Sequence, residues 1–285
     1  MYAITGASGH LGRIVVAELL KSVRPSEIVA LVRSPETVAD LAGQGITVRR
    51  ADYDRPETLV AALAGVDKLL LISSSEVGRR VPQHKAVIEA VQVAGVKLLA
   101  YTSVLRADTS PLGLAEEHRQ TEALLKASGL PFVLLRNGWY TENYAAGIPP
   151  ALQHGVLIGC AGEGRIASAA RADYAAAAAA VLTAREDQAG RVYELAGDEA
   201  YTLSQFAAEL SRQAGKAVTF QNLPEADYKA ALEGAGLPGP IAGLVAQSDA
   251  AAEKGALFDH GHQLSALIGR PTSSVKEVIA DALKR

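Results

Sequence analysis

A single cysteine, Cys160, stands in the chain of 285 residues, so no internal disulfide can form. Such usage fits a reducing compartment. Long apolar runs are missing as well. No stretch approaches the ~20 residues a membrane helix needs, and the alanine run at 175–180 is flanked by Asp173 and Arg185. There is no basic excess: 28 Lys and Arg against 31 Asp and Glu give a net charge of −3. Nothing is left over to neutralise a phosphate backbone, which argues against nucleic acid as a partner. The opening YAIT runs into a glycine turn with no basic n-region or long apolar h-region, so no secretory signal is read there. Together these absences lead to the expectation of a soluble, cytoplasmic protein without a membrane span. Aromatic residues are scarce at 5%, yet the window LLRNGWYTENY at 134–144 holds the only tryptophan, Trp139, with Tyr140 and Tyr144.

What is present is alternation. Short apolar runs at 2–5, 28–33, 46–50, 68–73, 97–103 and 132–137 read as strands. Several (LLLI, LLAY, FVLL) are apolar throughout, as expected of parallel strands covered on both faces. Between them, Leu11, Val15 and Leu19, then Leu59 and Leu63, then Ile88 and Val91, fall at helical spacing. Strands alternating with helices predict an α/β fold with a doubly wound parallel sheet of Rossmann type. After about residue 145 helical patterns dominate, including 172–184 and a helix opened by a capping box of Thr202 and Gln205. The expected organisation is therefore a nucleotide-binding domain at 1–145. A smaller, mainly helical lobe at 146–285 would pack on the sheet's carboxyl edge, with strands free to return to the first domain.

Between the first strand and the first helix lies ITGASGHLG, with Gly6, Gly9 and Gly12 spaced G-x-x-G-x-x-G. Glycine there permits a tight turn, close backbone approach to pyrophosphate and close packing of helix on strand. The helix N-terminus then offers free N–H groups and partial positive charge to phosphate. A glycine trio alone is a weak signal; its place at the head of a βαβ unit is the context the motif requires. The second strand ends VALVRSPE, and Arg33 stands twenty-one positions after Gly12, with no carboxylate before Glu36. A carboxylate there would bond the ribose 2′-OH of NAD, whereas arginine accommodates the 2′-phosphate of NADP. The expectation is NADP(H); the alternative is a solvated arginine at a strand end. Asp52 in ADYD either accepts a hydrogen bond from the adenine amino group or caps the following helix. Ser73, Ser74 and Ser75 end the apolar run LLLI. Small polar residues there let backbone and hydroxyls approach a cofactor.

To this point the chain resembles the short-chain dehydrogenase/reductase superfamily in its atypical extended branch, in which a Tyr-x-x-x-Lys pair usually supplies the acid/base. That pair is absent. None of the nine tyrosines is followed four residues later by lysine, although Ser103 in YTS fills the serine position. Ketone reduction, epimerisation and sugar dehydration lose their acid/base with it. An acceptor that takes hydride without a positioned acid must be electron-poor and give a stable anion, and a quinone meets both conditions. His118 in LAEEHRQTEALL is a candidate acid; the ordinary reading of a lone helical histidine, and of His84 in PQHKAVIEA, is surface or packing.

The stretches LLLISSSEVG, PQHKAVIEAVQVAGVKLLAYTS, DTSPLGLAEEH, LLRNGWYTENY and GRIASAARADYAAAAAAVL resemble the NmrA-type NAD(P)H:quinone oxidoreductases, type 2, over nearly the whole chain. Less closely they resemble the triphenylmethane dye reductases. The resemblance implies a flavin-free enzyme that passes hydride from NADPH directly to quinones, as a monomer or homodimer. Its cofactor site carries over onto the turn Gly6, Ala7, Ser8, Gly9, His10 and Leu11, then Arg33, and the turn Ser73, Ser74 and Ser75. It continues through Asn137, Gly138, Trp139, Tyr140, Thr141 and Glu142, with Arg171 a weaker member. No metal is implied. Tyr53, Asn137, Tyr140, Asn143 and Tyr144 are candidates for holding the acceptor, as hydrogen-bond donors or flat walls. The rival reading is a non-catalytic, NADP(H)-binding redox sensor acting through a protein partner.

Overall fold

The structure, a computed structural model, describes residues 1–284. Nine strands are present among the described residues: β1 (Tyr2–Thr5), β2 (Ile28–Val32), β3 (Thr47–Arg50), β4 (Lys68–Leu71), β5 (Leu98–Val104), β6 (Phe132–Asn137), β7 (Val156–Gly159), β8 (Val192–Leu195) and β9 (Thr219–Asn222). The chain forms two units. One contains Met1–Ala107, Glu116–Asn137 and Arg171–Glu194; the other contains Asp108–Ala115, Gly138–Ala170 and the described residues from 195 onward. The chain thus passes from unit to unit several times, and β8 returns to the sheet of the first unit.

The first unit is built on a seven-stranded sheet in the order β3-β2-β1-β4-β5-β6-β8. Strands β1 to β6 pair in parallel, from Val29 opposite Thr47 at one side to Val104 opposite Asn137 at the other. All seven residues of β5 are buried, which is why LLAYTSV carries no solvent-facing alternation. Helices cover both faces. The helix His10–Leu19 buries Leu11, Val15, Val16 and Leu19 and packs against Arg171–Thr183. The alanines of the second helix bury little side chain and let the two backbones approach. On the opposite face Val87, Ile88 and Val91 of Arg80–Ala94 join Leu69, Leu71, Leu99 and Leu134 in one core. The predicted doubly wound α/β sheet is the observed architecture. Sequence periodicity did not expose β8, whose VYEL joins the sheet beside β6.

The second unit is mainly helical, with a two-stranded parallel sheet of β7 and β9. Its helix Leu203–Ala214 starts with the expected capping box: the Gln205 N–H donates to Thr202 Oγ1, and the Thr202 N–H donates to Gln205 Oε1. The GLPGPIAGL region contributes the helix Gly239–Ala252, with proline in its first turn, where a missing N–H costs nothing. No helix among the described residues is long and apolar enough to cross a membrane.

Candidate functional site

The strand order reverses direction at β1, whose neighbours are β2 and β4. In open α/β sheets this switch point, at the carboxyl ends of the strands, is where ligands bind. A cleft opens there within the first unit. Its walls come from the turn after β1 (Gly6, Ser8, Gly9, His10, Leu11), from Arg33 after β2, from Asp52, Tyr53 and Asp54 after β3, and from 72–76 after β4, with Gln83.

The glycine turn has the form the motif demands. Gly6 has φ +58°, the left-handed region that favours glycine, and its carbonyl accepts the Gly9 N–H at 2.9 Å. A Cβ on Gly12 would lie 2.3 Å from the Gly6 carbonyl oxygen and 2.8 Å from Ala7 Cα, so only glycine lets the helix begin this close to the strand. No acidic residue occupies the first turn of the helix. Its N–H groups and partial positive charge therefore face the cleft unopposed, a cradle suited to pyrophosphate.

The serine turn is held from beneath. The Ile72 N–H donates to Thr5 Oγ1, the Ser73 N–H to Thr102 Oγ1 and the Ser74 N–H to His84 Nε2, each at 2.9 Å. Arg80 Nε donates to the Ser74 carbonyl at 2.6 Å. Because Nε2 of His84 accepts, its proton sits on Nδ1, 2.9 Å from Thr121 Oγ1, and Thr121 donates in turn to the Glu117 carbonyl. Burial pushes the His84 pKa down to about 3, so the ring stays neutral and keeps its acceptor. Sequence reading placed His84 on a surface or in packing; its place is a buried strut under the serine turn. Asp52 does not cap a helix. Its Oδ1 accepts the Asp54 N–H at 3.1 Å and shapes the turn after β3. Tyr53 lines the same cleft, donates its hydroxyl to the Ile72 carbonyl, and stands edge-on to His84.

Arg33 reaches the cleft with its side chain 69% exposed, and its Nη1 lies 3.0 Å from Glu76 Oε1. Glu76, Asp54 and Gln83 are cleft residues that sequence reading did not single out. Their only signal was position, Asp54 and Glu76 in loops after strands at the carboxyl edge and Gln83 in the first turn of the helix Arg80–Ala94.

Two residues weighed for a part in catalysis lie in the core. His118 is buried, donates to or accepts from the Tyr101 hydroxyl at 2.7 Å through Nδ1, and is driven well below its usual pKa by burial. A neutral ring shut inside the core is no proton donor to a substrate. Ser103 does stand at the end of β5, but its hydroxyl donates to Glu122 Oε1 at 2.6 Å. Glu122 also binds Arg136 through Nε and Nη2, and Arg136 Nη1 reaches Glu194 Oε1 at 2.7 Å. The serine is thus tied into a buried ionic network of Glu122, Arg136 and Glu194.

Asn137 ends β6 in the first unit, its Oδ1 buried and without a hydrogen-bond partner. From Gly138 onward the window belongs to the second unit. The Thr141 N–H donates to the Ala169 carbonyl and the Ala169 N–H to the Trp139 carbonyl, a short bridge that pins 139–141. Thr141 Oγ1, Ser168 Oγ and the Tyr201 hydroxyl follow one another at 2.8 and 2.6 Å. Tyr144 donates its hydroxyl to Asp249 Oδ1 at 2.9 Å, and the Cys160 N–H donates to the other oxygen at 2.7 Å. Its ring stands 6.3 Å from Phe206, so its hydroxyl is committed and only its ring is left to offer. Asn143 is exposed, while Trp139, Tyr140 and Glu142 are half-buried. Arg171 opens its helix in the first unit.

Glycine turn, switch-point cleft and parallel sheet define a dinucleotide-binding protein of the Rossmann type. A family described as NAD(P)H-binding matches residues 6–185. The chain belongs to this NAD(P)H-binding family. It is 59% identical over 280 residues to quinone oxidoreductase 2 of Escherichia coli, covering 98% of each chain. Among solved structures it matches the NADPH-dependent quinone oxidoreductase QOR2 of Escherichia coli complexed with NADPH, at 59% identity, TM-score 0.97, and 99% and 100% of the two chains. The triphenylmethane reductase of Citrobacter sp. complexed with NADP(H) matches at 36% identity, TM-score 0.95, and 99% and 100% of the two chains. The resemblance read from the sequence is borne out.

Proposed function

We propose that this protein is a quinone reductase that uses NADPH and passes hydride to the acceptor without a flavin. One observation carries the reading: a glycine-cradled switch-point cleft with Arg33 at its lip, in a chain so similar throughout to a quinone oxidoreductase. In the cleft, the N–H groups of Ser8, His10 and Leu11 would hold the pyrophosphate, Arg33 would take the 2′-phosphate, and Ser73, Ser74 and Ser75 would line the cofactor's path. Tyr53, in the same cleft as Arg33 and Asp52, walls the nucleotide and not the acceptor. In the first unit Asn137 and Arg171 are further cofactor candidates, and Asn137 Oδ1 offers a buried acceptor.

Bound NADPH supplies the hydride. The protein's own part is to bind, orient and keep water out, so that donor and acceptor atoms meet at about 3–3.5 Å. A quinone asks for no built-in acid. The hydride brings both electrons, the ring becomes an aromatic hydroquinone anion, and water supplies the proton. This agrees with a site in which His118 is sealed away and Ser103 is committed to Glu122. Asn143 and Tyr140 stabilise negative charge growing on the quinone oxygen, and Trp139 and the ring of Tyr144 provide flat walls. The second unit, which carries 138–144, is thus the acceptor-binding part. The protein works in the cytoplasm, as a monomer or homodimer. No feature of either unit favours the non-catalytic sensor.

The test is a rate measurement with purified protein, NADPH and a simple benzoquinone, with and without added flavin. Protein-dependent NADPH oxidation at the same rate in both supports the reading. Tight NADPH binding with no turnover of any quinone would hand the protein to the sensor class.

A further inference from the structure

The lip of the cleft carries more negative than positive charge. Asp52, Asp54 and Glu76 face it, against the guanidiniums of Arg33 and Arg79. Glu76 is the central member. One of its oxygens lies 3.0 Å from Arg33 Nη1. The other accepts from Arg79 Nη1 and from Gln83 Nε2, each at 3.1 Å. Its own N–H donates to Ser74 Oγ at 3.1 Å. The carboxylate of Glu76 is therefore held by Arg79 and Gln83, and its backbone by Ser74, so it does not depend on Arg33 alone for its position. Arg33, by contrast, has 69% of its side chain in solvent against 31% for Glu76.

From this asymmetry we infer that Glu76 is a built-in counter-ion of Arg33 that sets how strongly the protein prefers a 2′-phosphorylated nucleotide. The inference rests on the NADP reading of Arg33. An exposed ion pair of this kind is weak, so a 2′-phosphate of about −1.5 to −2 charge displaces it readily. The fixed carboxylate nonetheless stays beside the guanidinium that would take the phosphate and opposes it. Unlike charges further out, it is held inside a screening length of ~8–10 Å. Glu76 thus tempers discrimination: the site takes NADPH, yet binds it less tightly than Arg33 alone would allow.

The experiment compares 2′,5′-ADP with 5′-AMP, which differ only in the 2′-phosphate, by calorimetric titration of the wild type, Glu76→Gln, Arg33→Ala and the double variant. Glutamine keeps the size and hydrogen-bonding reach of Glu76 and removes the charge; thermal melting confirms that each variant is folded. In Glu76→Gln, 2′,5′-ADP should bind about three- to tenfold more tightly, with 5′-AMP changed less than about twofold. In the Arg33→Ala background the gain should shrink, because the displaced pair no longer exists. A wild type that prefers 2′,5′-ADP while Glu76→Gln leaves that preference unchanged or lowers it overturns the role of Glu76 alone. A wild type that binds the two nucleotides alike overturns the NADP reading of Arg33 and the inference with it. An equal gain for both nucleotides would show a general change of field, which also contradicts the proposal.

Discussion

The hydroxyl of Ser103 gives its proton to the carboxylate of Glu122 at 2.6 Å, and both side chains are buried. The Tyr-x-x-x-Lys pair that such a serine would accompany is absent from the chain, and the hydroxyl is committed to Glu122 instead. Glu122 is in turn bonded twice by Arg136, and Arg136 reaches Glu194, so one guanidinium bridges two carboxylates.

Breaking that network should be costly in proportion to its burial. Arg136→Met leaves Glu122 buried and unpaired, and should lower unfolding free energy by about 3–5 kcal/mol. The double variant Arg136→Met, Glu122→Met removes both charges and should recover a substantial part of the loss. Urea denaturation of the two variants checks this, with equal stability of the single and double variants as the contrary result.

Stability should fall on mild acidification because two histidines are neutral in the folded chain. The folded pKa of His84 is about 3, against an ordinary 6.5, and that of His118 is also far below it. Between those values the unfolded chain binds protons that the folded one refuses, so stability rises with pH through this window and is lost as pH drops below about 6.5. The slope per histidine approaches 1.4 kcal/mol for each pH unit, as an upper value of about that size. Melting temperatures between neutrality and about pH 5 should decline in the wild type and decline less in His118→Gln.

Gly12 should tolerate no side chain. An alanine Cβ there would meet the Gly6 carbonyl oxygen at 2.3 Å, and backbone cannot move aside as a side chain can. Gly12→Ala should cost about 1–3 kcal/mol in stability and weaken NADPH binding by about tenfold or more. Fluorescence titration with NADPH, with the melt measured alongside, separates the two effects.

The acceptor residues should separate turnover from cofactor binding. Asn143→Ala should lower kcat/KM for benzoquinone by about tenfold or more with the NADPH Kd unchanged. Tyr144→Phe keeps the ring but leaves Asp249 Oδ1 without its donor, so about 1–3 kcal/mol of stability should go while turnover persists. Equal loss of turnover and NADPH affinity in Asn143→Ala would make 138–144 a structural segment only.

Strands buried on both faces announce themselves, and β1, β2, β4, β5 and β6 were legible as apolar runs. Strand β8 was not, because its VYEL lies at the rim of the sheet, with Val192 exposed and Tyr193 and Glu194 half-buried, and so breaks the apolar pattern. The glycine turn, Arg33 and the serine turn were legible because their chemistry is tied to strand ends in chain order. Glu76, Asp54 and Gln83 were not, since their meeting depends on how two loops fold against the first turn of the helix Arg80–Ala94. The Ser103–Glu122 bond depends on the phase of the helix Ala115–Ser128 against β5, which spacing alone does not fix. The same is true of Tyr144: the sequence showed an aromatic ring near a strand end, and only the fold shows its hydroxyl held by Asp249.

The most direct measurement of direct hydride transfer is a single turnover. Flavin-free protein, saturated with NADPH, is mixed rapidly with benzoquinone and the loss of NADPH absorbance is followed. The same experiment is repeated with NADPH deuterated on one or the other face of nicotinamide C4. Direct transfer predicts complete oxidation without flavin, slowed by deuterium on one face only. An absorbance that stays constant until flavin is added would contradict it.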